Sequence, residues 1–234
     1  MIFVPKIHTE YTIEREVIDG HRHYNIIQSD GTKLLFPSMT TILHQEEPEY
    51  ITAWKANVGE KTAKSISQYA TDAGTELHEF CENVLLRNSE KAKEILTTSS
   101  RMSKFYMKKI LPYLKNINKV LATEEFLFSA SVGVAGTVDG VVEYKGTLCI
   151  LDFKTANMPR AVEDIESYYI QVAGYAAMWE FITGQKIDKG MILLVNSINV
   201  QEIPVDIPKY VDKFHALVEQ YYISHPHLVR VDTR

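Results

Sequence analysis

The order of patterns along this chain predicts an α/β fold: a mixed central β-sheet flanked by helices, with a helical insert. Three observations carry that expectation. The chain opens in β-type alternation, continues through a long stretch of helical periodicity, and then runs as hairpin, helix, strands and helix. With 234 residues, 45% of them hydrophobic, it can bury a substantial core. We expect one unit over 1–234, divided into a β-hairpin region (1–45), a helical region (46–120), a core that carries the chemistry (121–205), and a C-terminal helix and tail (206–234).

Taken in order, Tyr11 to Ile27 reads as a hairpin around Asp19-Gly20, with a second turn at Ser29-Asp30-Gly31. His21 and His23 alternate on one face there, and without a carboxylate partner such a pair reads as solvated. Ser38, after Pro37, fits a helix cap. Helical patterns continue through Trp54, Ala63 and Tyr69 until Gly74 interrupts them. A helix from Thr75 to Arg87 then places Leu77, Phe80, Cys81, Val84 and Leu85 on one apolar stripe, with His78 at its edge and Glu82 one turn on. Arg101 to Lys119 reads as another helix, kinked at Pro112. Glu124-Glu125 begins a strand. Val138 to Tyr144 alternates like a strand, Lys145-Gly146-Thr147 is a tight turn, and the chain returns as Leu148 to Phe153. A helix from Val162 to Thr183 puts Tyr168, Gln171 and Tyr175 on one face. Gly190 to Asn196 and Val200 to Val205 read as strands, Pro208 opens a final helix, and the tail beyond Ser224 is irregular.

Two segments carry chemistry: Gly136-Thr137-Val138-Asp139 and Leu151-Asp152-Phe153-Lys154-Thr155. Residues two apart on a strand share a face, so Asp152 and Lys154 stand side by side while Phe153 points into the core. The hairpin brings Asp139 near Asp152. Carboxylates at one spot suit a hard divalent cation, magnesium or manganese, and a lysine beside them suits hydrolysis of a phosphodiester. Read alone, the pair also fits a strand-end surface ion pair. A metalloprotease reading of His78-Glu79-Phe80-Cys81-Glu82 fails, because the second histidine one turn later is a glutamate.

The order of motifs is more specific than any one of them. Gly74-Thr75-Glu76-Leu77-His78-Glu79, then Glu124-Glu125, Gly136 to Asp139, Asp152 to Thr155, and Gln171-Val172-Ala173-Gly174-Tyr175 together resemble the RecB-like branch of the PD-(D/E)xK nuclease superfamily. Phe36-Pro37-Ser38-Met39-Thr40-Thr41-Ile42-Leu43 is similar to a segment near the start of the mitochondrial genome maintenance exonucleases and their phage relatives. The resemblance spans residues 36 to 180. It implies a restriction-endonuclease-like core, with Asp139, Asp152, the Phe153 carbonyl and His78 as metal ligands and Lys154 as the residue that positions the water. It further implies Glu125 as an acidic support and Gln171 and Tyr175 as a brace for the lysine or the substrate. In that family the helical region arches over the site and admits single strands.

Net charge runs against a polyanionic partner, since 25 basic residues face 30 acidic ones for a formal net charge of −5. Distribution matters more than the sum. On a helix from residue 101, Arg101, Lys104, Lys108, Lys115 and Lys119 form one stripe that could follow a phosphate backbone or simply face solvent. The two cysteines, Cys81 and Cys149, exclude a disulfide framework and a four-cysteine iron-sulfur cluster within one chain. No apolar run is long enough to span a bilayer, and the N-terminus resembles neither a secretory nor a transit segment, so the expected location is cytoplasmic, in a bacterium or a phage-infected cell. The sequence thus leads to a magnesium- or manganese-dependent deoxyribonuclease, an exonuclease preferring single-stranded or flap ends in replication, repair or recombination. A double-strand-specific exonuclease, a structure-selective endonuclease, a hydrolase of another phosphoester and a non-catalytic nucleic-acid-binding protein stand as alternatives, and protein partners are not legible.

Overall fold

The computed structural model describes residues 11–45 and 49–228. The sequence expectations for residues 1–10, 46–48 and 229–234 lie outside the described residues. A three-stranded antiparallel sheet comes first: β1 (Thr12–Ile18), β2 (His21–Ile27) and β3 (Lys33–Pro37). Asp19 and Gly20 join β1 to β2 with φ of 51° and 81°, the left-handed pair that a two-residue hairpin turn demands. Ser38 caps α1 (Met39–Leu43) by accepting the Thr41 N–H at 3.1 Å.

The helical region holds α2 (Glu49–Val58), α3 (Glu60–Leu85), α4 (Ser89–Thr98) and α5 (Arg101–Leu114). Two expectations are corrected here. Gly74 does not break the pattern: α3 runs through it unbroken, because an interior glycine costs only about 1 kcal/mol and the apolar stripe below it packs on α4 and α5. The interruption falls instead at Gly59, whose φ of 83° separates α2 from α3. The second concerns α5, which stops at Leu114. Pro112 falls in its last turn, and Asn116 turns the chain into β4, so Lys115 and Lys119 leave the basic stripe.

The central sheet has the order β4 (Ile117–Ser129), β5 (Val134–Tyr144), β6 (Thr147–Thr155), β7 (Lys189–Val195) and β8 (Val200–Asp206). Glu124 and Glu125 therefore lie inside β4 and do not begin it. All neighbours are antiparallel except β6 and β7, and the helix α6 (Glu166–Thr183) supplies the crossover which a parallel pair requires. Gly184, left-handed at φ 70°, ends α6, and α7 (Pro208–Ser224) follows the sheet. One face of the sheet packs on α1, α6 and α7, the other on α3, α4 and α5. This is a five-stranded mixed sheet flanked by helices, consistent with a restriction-endonuclease-like fold.

Close approach fixes α6. A methyl on Gly174 would stand 2.4 Å from Met39 Cε and 2.7 Å from Phe214 Cε2, so α1 and α7 both lean on the helix midpoint, next to Tyr175. The three-stranded sheet is tied to α7 by His23. Contrary to the sequence reading, His23 is buried and not solvated: its Nδ1 donates to the His21 carbonyl at 3.0 Å, so Nε2 accepts from the Tyr221 hydroxyl, also at 3.0 Å.

Candidate metal centre

The site forms where the β5–β6 ladder ends. The last paired residues are Gly140 and Leu151. One step beyond, Asp139 Oδ2 accepts the Phe153 N–H at 2.6 Å, so a carboxylate takes over from the backbone acceptor. Asp152 and Phe153 are each 1% exposed; Asp152 enters the site while Phe153 packs into the core beneath α3 and α5. Lys154 Nζ lies 2.6 Å from Asp152 Oδ1 and 2.5 Å from Oδ2, and its ammonium stands over the Tyr168 ring, 5.2 Å from the centroid.

From α3, His78 reaches the same place. Its Nε2 is 2.9 Å from the Phe153 carbonyl oxygen, which can only accept, so that nitrogen carries the hydrogen. The other nitrogen, Nδ1, faces Glu124 Oε1 at 3.5 Å and Asp139 Oδ1 at 3.4 Å. Nitrogen and carboxylate ligand atoms of His78, Glu124 and Asp139 all lie within 4.8 Å of one another. Burial works to lower the His78 pKa, but the charge of Asp139 and hydrogen bonds to Asp139 and Glu124 outweigh it and hold it well above 6.5. Burial pushes the Asp152 carboxyl up to about 6 against the pull of Lys154, with Asp139 adding to the rise. Burial alone would lower Lys154, yet Asp152 and Asp139 raise it, and the side chain stays cationic.

Several observations fit these residues to a divalent cation. Hydrogen donation by Nε2 to the Phe153 carbonyl directs Nδ1 at two carboxylates, and a cation that displaces the Nδ1 proton would meet its lone pair there. Asp152 Oδ2 is fully buried and receives no directed hydrogen bond, although Lys154 stands close to it. Mostly hard oxygen donors with one imidazole suit magnesium or manganese. The Phe153 carbonyl, expected as a ligand, is engaged by His78 and keeps one further lone pair.

The acidic residue beside His78 and Asp139 is Glu124 and not its neighbour Glu125. Thr123 pairs with Gly140 and Glu125 with Val138, so Glu124 falls opposite Asp139. Register shifts at Ile117/Lys119 and Val120/Ala122, and a φ of 44° at Glu124 itself, set that phase. Tyr175 on α6 is buried and hydrogen-bonded to Gln171; burial and the nearby charge of Asp139 raise its pKa, so its hydroxyl stays protonated. His44, just after α1, was not singled out by sequence and has no motif to mark it. Burial and the charge of Lys154 lower its pKa, which places it by the lysine. On α5, Arg101 and Lys108 are exposed and Lys104 half-buried. That helix is joined to the site by Ser100 N–H donating to Glu76 on α3, and by the Tyr106 hydroxyl donating to the Ala156 carbonyl just past Lys154.

Fold and site together have the form of an α/β protein with a buried carboxylate and lysine cluster beside a histidine–carboxylate group that could hold a metal ion. No family model matches the chain. It is 28% identical over 148 residues to the mitochondrial genome maintenance exonuclease 1 of Xenopus tropicalis and 26% identical over 150 residues to that of Homo sapiens. Those matches cover 59% and 60% of this chain but 42% and 43% of the relatives, so the chain spans under half the length of the curated proteins it matches. It is thus similar to a family of nucleases. The solved structure of SSO0001 shares 15% identity at a TM-score of 0.36, over 64% of this chain and 74% of that one, a likeness too slight to argue from.

Proposed function

We propose that this protein is a divalent-metal-dependent DNA exonuclease acting on single-stranded or flap ends. The observation that carries the reading is His78 Nδ1 gathered with Glu124 and Asp139 within 4.8 Å, beside the buried Asp152–Lys154 pair. Similarity to proteins named genome maintenance exonuclease supports the same class. His78, Asp139, Asp152 and Glu124 would hold the cation. When bound, such an ion supplies hydroxide near neutral pH and stabilises charge on the attacked and leaving oxygens.

The chain's own residues divide the remaining work. Lys154, kept cationic by Asp152, donates hydrogen bonds to the attacking water and to a phosphate oxygen, and its charge bars it from acting as a base. Tyr168 beneath the ammonium and Asp152 beside it fix where Nζ points. Gln171 holds the Tyr175 hydroxyl as a donor at the same edge. Arg101, Lys104 and Lys108 would line the approach of the strand, with the helices α3 to α5 as the arch that excludes duplex.

The test uses end-labelled linear single strands, duplexes and circles with magnesium, manganese or chelator. Metal-dependent loss of linear single strands with circles spared is expected, and Lys154→Ala should lower the rate by about 10³-fold with the fold retained. Cut circles would move the activity to an endonuclease. Cutting by Lys154→Ala at the wild-type rate would remove the lysine from the mechanism.

A further inference from the structure

A second polar cavity opens on the other side of Tyr175, outside the metal cluster. It has a volume of about 110 Å³ and is lined by Arg22, Tyr24, Ser38, Thr40, Thr137 and Tyr175, together with Met39 and Gly136. This is room for several waters or one tetrahedral oxyanion. None of its lining side chains is acidic. Among the described residues no carboxylate pairs with the half-buried Arg22.

The local structure is built around that arginine. On β2, His23 turns inward to Tyr221, so Arg22 and Tyr24 share the opposite face. The Arg22 carbonyl accepts two hydrogen bonds, from Ser38 N–H at 2.9 Å and from the Thr41 hydroxyl at 2.8 Å. Ser38 Oγ lies 2.8 Å from Thr40 Oγ1, and Ser38 bridges to Ala135 at the start of β5. The Pro37 to Thr41 segment thus anchors the Arg22 backbone and brings Thr40 to the same cavity, which Thr137 enters from β5. Gly136 lets Tyr175 stand close in the cavity wall: a methyl there would meet Tyr175 Cε1 at 3.2 Å and its hydroxyl oxygen at 3.3 Å. Thr137 precedes Asp139 by two residues, about 7 Å along a strand, which is within the reach of a single nucleotide.

We propose that this cavity is an anion subsite which holds one phosphate of the substrate strand, through the Arg22 guanidinium and the hydroxyls of Thr40, Thr137 and Tyr175, next to the phosphate that is cut. A guanidinium with neutral hydroxyls matches a phosphate's charge and its several acceptor oxygens. The assignment rests on the nuclease reading for the identity of its ligand. The phosphate is either the terminal group of the strand or an internucleotide one.

Binding of a fluorescent oligothymidylate, measured in calcium, distinguishes these. The strand carries either a terminal phosphate, a terminal hydroxyl, or one uncharged methylphosphonate moved stepwise along it. For the wild-type protein, neutralising one position should weaken binding on the order of tenfold, and the same change should cost Arg22→Gln almost nothing. Arg22→Gln should also flatten the salt dependence by about one phosphate contact. Coupling at the terminal group identifies a strand end in the cavity, and coupling at an internal position identifies a strand passing through it. Thr137→Val, which leaves the Arg22 anchor intact, should show a weaker version of the same coupling, and denaturation midpoints check that both variants fold. Equal losses in wild type and Arg22→Gln at every position would overturn the subsite. Cleavage by the wild-type protein in magnesium or manganese, with Lys154→Ala inert, reports on the nuclease reading separately.

Discussion

Two histidines, His23 buried under the three-stranded sheet and His78 half-buried on α3, are built alike and behave in opposite ways. Each gives one ring N–H to a backbone carbonyl, His21 for the first and Phe153 for the second. The difference lies in what meets the other nitrogen. For His23 it is a tyrosine hydroxyl, and burial lowers the pKa. For His78 it is a pair of carboxylates, which reverse the effect of burial. A buried histidine whose polar needs a neutral network meets is a clasp between elements. One that faces acidic oxygens is placed to serve as the metal ligand proposed above.

Exchanging the two residues for alanine is the strongest way to break this contrast. His78→Ala should lower metal-dependent cleavage by about 10²-fold, while His23→Ala should leave cleavage per folded molecule intact and cost about 2 kcal/mol of stability. Nuclease assays beside urea denaturation read both, and equal effects from the two would end the distinction. A sharper version compares adjacent glutamates. Glu124→Gln should raise the manganese concentration needed for half-maximal cleavage by about tenfold, with Glu125→Gln changing it less. A larger shift from Glu125 would restore the role that resemblance gave it. The smallest effect is pH linkage at His23. Its folded pKa lies below 6.5, so the unfolded chain binds more protons as pH falls through that value, and stability drops from about pH 6.5 downward. His23→Gln should remove that part of the acid slope in denaturation midpoints, and an unchanged slope would place the proton elsewhere.

Much of this was legible in the sequence, for identifiable reasons. The β5–β6 hairpin announced itself by alternation and by Lys145-Gly146, both left-handed in the structure at φ 49° and 81°. With the hairpin came Asp139, Asp152 and Lys154. Glu124 was not legible, since one bulge shifts a strand's phase by a residue and exchanges the sides of neighbouring side chains. Nor was burial of His23, because its partner Tyr221 lies 198 residues away. The helix through Gly74 was missed because a glycine's small local penalty gives way to packing that only the folded chain provides.

Gly136 lies three residues before Asp139 but is shaped by a residue thirty-nine positions downstream, since the space its missing side chain leaves is filled by the ring of Tyr175. The two sites therefore cannot drift independently: a side chain gained at 136 must push the Tyr175 ring aside, and the hydroxyl moves with it, in the wall of the second cavity and within the field of Asp139.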